Sequence, residues 1–216
     1  MFTVNPLGDR EFLANFPNEE QAAHWAALLE KLHYPGVVES VAAYRKVWIQ
    51  ADPDKADLIL LSTQLQSLEV PLGENSPGKT FLIPTLYDGQ DLVEVCETLA
   101  LSRQELISAH CSRDYHVHAI GFQPGFPYAG DLPPALTGLT RRPSPRTQVP
   151  TGSVAIVGRQ TAIYPSPSPG GWHLIGRTPL QIVDIEKNNF PLRAGDRLRF
   201  IPISEKEYES RRGESL

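Results

Sequence analysis

Residues 121–180 hold 11 of the chain's 20 prolines and 9 of its 16 glycines, and that density constrains the fold more than any other feature. A helix interior does not tolerate it. Each proline removes an amide donor and clashes with the preceding turn, and each glycine adds to the entropy lost on ordering. Short strands joined by shaped loops tolerate it well. Strands are therefore expected at Ser153–Val157, Thr161–Tyr164 and Trp172–Ile175, with Tyr115–Gly121 before them and Leu180–Ile185 and Arg197–Ile201 after. Many short strands with such corners favour a closed or nearly closed β-barrel. Two helices lead into it, one from Asp88 or Asp91 to about Ala100, the other from a Ser102/Glu105 capping box to His110 or Cys111.

The first 86 residues follow another pattern. Arg10–Asn15 reads as a strand, and Asn18 with Gln21 opens a helix whose Ala22, Trp25, Leu28, Leu29 and Leu32 share one face before Pro35-Gly36 ends it. Strands follow at Val37–Ala42 and Arg45–Ala51. Asp52-Pro53 then offers an N-cap with proline at the first helical position, and Leu58, Leu61, Leu65 and Leu68 form the second helix's stripe. Thr80–Tyr87 returns to an extended pattern. The order β-α-β-β-α-β predicts an α+β, ferredoxin-like domain over 1–86, followed by a mainly β domain over 87–216. The charged tail Glu205–Leu216 is expected to fray.

A formal charge of −5 and the lack of any Lys/Arg run argue against nucleic-acid binding, which needs a concentrated basic face. No stretch reaches the roughly 18 apolar residues that span a bilayer, and Met1–Arg10 carries no export signal, so a cytoplasmic address is the expectation. Cys96 and Cys111 read as reduced, partly buried thiols.

Three candidate motifs are declined. Gly73–Thr80 matches the phosphate-loop expression G-x-x-x-x-G-K-[ST], but a helix precedes it and Pro84 stops one from following, which inverts the context that motif needs. His116 and His118 alternate on one strand and so share a face, yet no third metal ligand stands near them in sequence. Ser153 follows Gly152 without the second glycine of a nucleophile elbow. No complete Ser/His/acid set is assignable.

What remains is a recognition surface. Pro124, Pro127, Pro165, Pro167 and Pro169 stiffen the loops, and Phe122, Phe126, Tyr128, Tyr164 and Trp172 place large rings on or beside them. Arg142, Arg146 and Arg177 add planar donors suited to carboxylate or phosphate. The same rings could instead close the barrel ends, and the same arginines could pair with nearby acids.

Residues from Gly121 read GFQPGFPYAGDL, then RRPSPRTQVPTGSVAIVG, then IYPSPSPGGWHLIGRTP. In order and spacing these blocks resemble the family of KipI and the 5-oxoprolinase B subunit, also seen as the first part of allophanate hydrolase-type and urea-carboxylase-associated proteins. The likeness extends upstream through Leu7-Gly8-Asp9, Tyr87-Asp88 with Asp91-Leu92, and His110, and so covers most of the chain. The loop after Tyr128, Ala-Gly-Asp-Leu-Pro-Pro, departs from it, since relatives more often carry a second glycine and a bulkier residue.

The resemblance implies a small α+β domain followed by a cyclophilin-like barrel. It implies a non-autonomous component, inactive alone, that works with a KipA-like C subunit and a LamB/YcsF-like A subunit. Together they would hydrolyse 5-oxoproline to glutamate with consumption of ATP. The complex uses the ATP, and this chain need not bind it; no metal is implied. Phe122, Pro124, Phe126, Tyr128, Arg142, Arg146, Ser153, Tyr164, Trp172 and Arg177 would form a substrate- or partner-binding surface. The alternative the resemblance offers is a KipI-like inhibitor of sensor histidine kinase autophosphorylation. Likeness to a cyclophilin fold does not by itself imply prolyl isomerisation.

Overall fold

The computed structural model describes residues 2–69 and 78–216. The chain divides into two compact units, 1–77 and 78–216. Among the described residues no helix is long and apolar enough to cross a membrane.

The first unit runs β1 (Thr3–Leu7), β2 (Glu11–Asn15), α1 (Glu19–Leu32), β3 (Val37–Ala43), β4 (Lys46–Ala51) and α2 (Leu58–Ser67). Its strands lie in the order β1-β2-β4-β3, every neighbour antiparallel. Asn18 caps α1 through an Oδ1 that accepts from Gln21 N at 2.9 Å. Ala22, Trp25, Ala26 and Leu29 are its buried face. Trp25 packs against Phe2 and Phe16 over the sheet residues Phe12, Val47 and Ile49.

Two expectations change here. The second helix starts at Leu58, not at Pro53, because Asp52 closes a local turn on Asp54, Lys55 and Ala56, while Asp57 accepts from Ile59 N and Leu60 N. The cap thus falls one turn before Leu61 and two before Leu65, whose full burial stabilises the unit by about 1.5–3 kcal/mol each. The ferredoxin-like closing strand is also absent from this sheet among the described residues. Its edge place beside β2 is taken by β1, which reaches it through the tight turn at Gly8 (φ +75°). Thr80–Thr85 belongs to the second unit instead, paired in parallel with Arg197–Pro202.

That second unit contains β5 (Thr80–Thr85), α3 (Leu92–Thr98), α4 (Arg103–His110), β6 (Tyr115–Ile120), β7 (Pro127–Gly130), β8 (Arg146–Val149), β9 (Ser153–Val157), β10 (Gln160–Ile163), β11 (Ser168–Gly170), β12 (His173–Arg177), β13 (Arg197–Pro202) and α5 (Glu205–Ser210). Within it the strands run β5-β13-β6-β7-β10-β9-β12. A bridge between Leu86, just past β5, and Arg177 of β12 joins the two ends of this order through two backbone hydrogen bonds of 2.8 Å. Alternation places Tyr115, Val117 and Ala119 of β6 inward, with Ile83, Ile156, Ile163, Ile175 and Phe200 completing the core. β8 and β11 form a separate two-stranded ribbon.

The Ser102/Glu105 capping box is present, and α4 ends at His110. Leu180–Ile185 is not a strand. Its Leu180, Ile182 and Val183 are buried, but Gln181 bonds Glu214 and Leu216 of the tail, and Asp184 closes a turn with Asn189. The apolar run reflects burial, not a ladder. For the same reason the tail does not fray: α5 carries a Ser204/Glu207 capping box and buries Tyr208. Of the phosphate-loop-like string, residues 73–77 lie outside the described residues, and its final Thr80 opens β5.

Candidate functional site

Phe126, on the loop between β6 and β7, is the centre of the ring cluster. It is 2% exposed and meets Tyr128, Tyr164 and Trp172 edge-on, with centroids 5.0, 5.1 and 5.7 Å away. With Val149, Ala155, Ala162 and Leu174 these rings form a core distinct from that inside the ring of strands. Phe126, Tyr164 and Trp172, candidates either for the binding surface or for packing, are buried and so pack. Phe122 is not: it is 61% exposed, and Pro124 beside it is also exposed.

The loop holding Phe122 out is over-determined. Gln123 and Ser166 bond each other's side chains, the Ser166 hydroxyl donating to Gln123 Oε1 at 2.7 Å. Gly125 (φ +77°) admits no side chain, since a Cβ there would lie 2.1 Å from Val183 Cγ1. Phe122 itself takes φ +67°, which disfavours any residue but glycine and persists only where the surroundings enforce it.

Two of the arginines meet on one internal acid. Asp91 is 3% exposed; its Oδ1 accepts from Arg142 Nη1 at 2.9 Å and from Arg146 Nη2 at 2.6 Å, while its Oδ2 accepts from Leu174 N at 2.7 Å. Glu94 shares Arg142, and Gln90 shares Arg146. The Arg142–Arg146 arm is thereby latched onto the start of α3. Among the described residues, Arg142 Nε and Arg146 Nη1 are nonetheless buried without a hydrogen-bond partner. The hydrogen bond Arg142 donates to Glu94, and then the charge of Asp91, hold the Arg142 pKa above its ordinary value.

Arg177 stands apart from that pair. It salt-bridges Asp88 at 2.9 Å and stacks on Tyr208, Cζ lying 4.3 Å from the ring centroid. Beside it lies a cleft of about 240 Å³ whose walls include Asp88, Gln90, Thr151, Ser153, Gly176 and Arg177. Ser153 Oγ donates to Pro150 O at 2.7 Å, so its proton is held by a backbone carbonyl and not by an imidazole. That arrangement binds; it does not activate a nucleophile. Sequence reasoning missed Asp88, Asp91 and Tyr208 as the partners of these arginines. Asp88 and Asp91 did carry a signal, the upstream likeness at Tyr87-Asp88 and Asp91-Leu92.

His116 and His118 lie on one face of β6, ring centroids 5.3 Å apart. His110 is fully buried in the second unit's core. Thr161 donates its hydroxyl proton to Ala155 O, so His110 Nε2 donates to Thr161 Oγ1 at 3.0 Å. His110 Nδ1 is then the acceptor for Tyr87 Oη at 2.7 Å. Burial lowers the His110 pKa to about 3 from 6.5 and pushes the Tyr87 phenol up. A histidine held neutral contributes stability that is complete above pH 6.5 and lost as pH falls towards 3, because only the unfolded chain takes the proton. Unfolding free energy is expected to fall by ~2 kcal/mol between about pH 7 and pH 5 from this group. Urea unfolding of wild type and His110→Gln at the two pH values checks it; equal slopes would rule out His110 as their source.

Comparison with known proteins gives a consistent pattern. The family described as carboxyltransferase domain, subdomain C and D, matches residues 2–192. The B subunit of 5-oxoprolinase from Bacillus subtilis (strain 168) is 34% identical over 99% of this chain and 98% of its own length. That of Haemophilus influenzae is 38% identical over 92% of this chain and 96% of its own. Among solved structures, TTHA0988 superposes with a TM-score of 0.82 at 36% identity over 94% of this chain; the chain spans 40% of TTHA0988. The Kluyveromyces lactis urea carboxylase, at 22% identity and a TM-score of 0.70, covers 97% of this chain, which spans 22% of it, and shares the fold alone.

Proposed function

The chain belongs to the family of 5-oxoprolinase B subunits, within the carboxyltransferase domain, subdomain C and D, and on that premise we propose that it is the B subunit of an ATP-dependent 5-oxoprolinase. It acts with the LamB/YcsF-like and KipA-like components to open the lactam ring of 5-oxo-L-proline to L-glutamate. The ring is a stable amide, and ATP provides the phosphorylation that makes its carbonyl electrophilic. The ring of strands closed at Leu86 and Arg177 supports reading the second unit as a cyclophilin-like barrel.

The observation that carries the non-autonomous role is the cleft beside Arg177. It holds a cation, a carboxylate, an amide and two hydroxyls, yet Ser153's proton is bound to a backbone carbonyl. Such a set positions a ligand and leaves bond-breaking to the other components. Phe122, rigid and exposed, supplies an aromatic anchor of the kind that dominates protein interfaces. It is also what favours the second reading, docking on a sensor histidine kinase.

Omitting each component in turn from a reconstituted mixture tests the role. Hydrolysis of ATP that depends on 5-oxoproline is expected only when this chain is present, and never from this chain alone. Phe122→Ala is expected to change unfolding free energy by less than about 0.5 kcal/mol while weakening co-elution with the KipA-like component tenfold or more. Full activity without the chain would sink the reading.

A further inference from the structure

The seam that closes the strand order of the second unit also creates a charged pair that the packing does not need. Gly89 and Gly176 let the two backbones touch there: a Cβ on Gly89 would lie 2.3 Å from Leu174 O, and one on Gly176 2.6 Å from Leu86 O. Only glycine fits at both positions. The close approach puts the side chains of Asp88 and Arg177, paired at 2.9 Å, in the lining of the 240 Å³ cleft. That volume is below the roughly 300–1,000 Å³ of pockets that take drug-sized ligands, so the occupant is a single small ring or a short chain.

Each side chain of the pair is 37% exposed. An ion pair this solvated contributes about 0–1 kcal/mol, and an incoming carboxylate replaces one charge-assisted bond to Arg177 with another. Arg177 keeps its place when Asp88 lets go, because it also lies on the face of Tyr208, a residue 7% exposed on the capped helix α5. Asp88 is then left within the cleft as an anionic acceptor, close to the guanidinium it has released. The two groups complement a molecule with an anionic oxygen pair at one atom and an N–H on the next.

We propose that the Asp88–Arg177 cleft is a binding site for a small carboxylate bearing an N–H on its α-carbon, Arg177 taking the carboxylate and Asp88 the N–H. Tyr208 is a positioning residue for Arg177. 5-Oxo-L-proline belongs to this class, and its choice as probe rests on the 5-oxoprolinase reading above.

Titration calorimetry of the full chain with 5-oxo-L-proline is expected to give saturable binding. Two analogues remove one half of the recognition each without altering the protein: 3-oxocyclopentanecarboxylate keeps the ring carbonyl but lacks the N–H, and 2-pyrrolidinone lacks the carboxylate. Each is expected to bind at least tenfold more weakly. Arg177→Met is expected to abolish saturation, Tyr208→Leu to weaken binding several-fold, and Tyr208→Phe, which keeps the ring, to preserve it. Absence of binding by the wild-type chain, or equal binding of either analogue, overturns the proposal. A reconstituted complex that hydrolyses ATP in response to 5-oxoproline, while the chain alone binds none, removes the cleft assignment and leaves the 5-oxoprolinase reading standing. Binding by the chain with no such hydrolysis does the reverse.

Discussion

Asp91→Ala is expected to lower the unfolding free energy of the chain by about 3–4 kcal/mol. The substitution removes the shared partner of Arg142 and Arg146, whose side chains are only 26% and 20% exposed. Two guanidinium groups then stay in a poorly solvated place without the carboxylate between them. Leu174 N loses its acceptor as well, and an unmade buried hydrogen bond adds to the loss. The value is set near the low end of that for a broken buried pair because both arginines keep some water and Glu94 still holds Arg142. Glu94→Gln is the control: Glu94 is 58% exposed, and the change should be below about 1 kcal/mol. Urea unfolding of the variants reads both. A loss for Asp91→Ala no larger than for Glu94→Gln would mean that the latch is dispensable.

Phe126→Ala is expected to cost about 3–5 kcal/mol, with a fall in Tm on the order of 10 °C. The ring is 2% exposed and contacts Tyr128, Tyr164 and Trp172, each in an edge-on geometry. Its loss opens a cavity in a core that Gly125 and the surrounding proline loops cannot collapse into. Phe126→Leu should recover part of the loss, since most of the volume returns without the ring edges. Calorimetric melting compares the series. If Phe126→Ala melts with the wild type, the cluster belongs to a ligand surface and not to the core.

The fold is legible in the sequence where the energy is local. Asn18 and Ser102 cap the helices that follow them because the donors they satisfy lie within the next turn. The alternation in β6 follows from one buried face. The illegible parts share another cause. β1 is an exposed edge with a proline inside it and no alternation, so nothing but its pairing with β2 identifies it. Thr80–Thr85 has the composition of a strand, but its neighbour β13 lies at the far end of the chain. The arginines are recognisable as donors, whereas their acceptors are 51, 55 and 89 residues away, at Asp91 for the first two and Asp88 for the third. Composition reveals that a guanidinium needs a partner; only the fold decides which one. For Arg142 and Arg146 it is an internal acid, and for Arg177 an exposed one at a cleft.

That distinction is the central claim, and activity in the assembled complex tests it most directly. Glutamate release from 5-oxo-L-proline is compared for complexes built with wild type, Arg177→Met and Phe122→Ala chains of matched fold, at partner concentrations that saturate assembly. A fall of at least tenfold in kcat/KM for Arg177→Met, with Phe122→Ala restored by the added partner, is the predicted result. Unchanged kcat/KM for Arg177→Met in a fully assembled complex would contradict it.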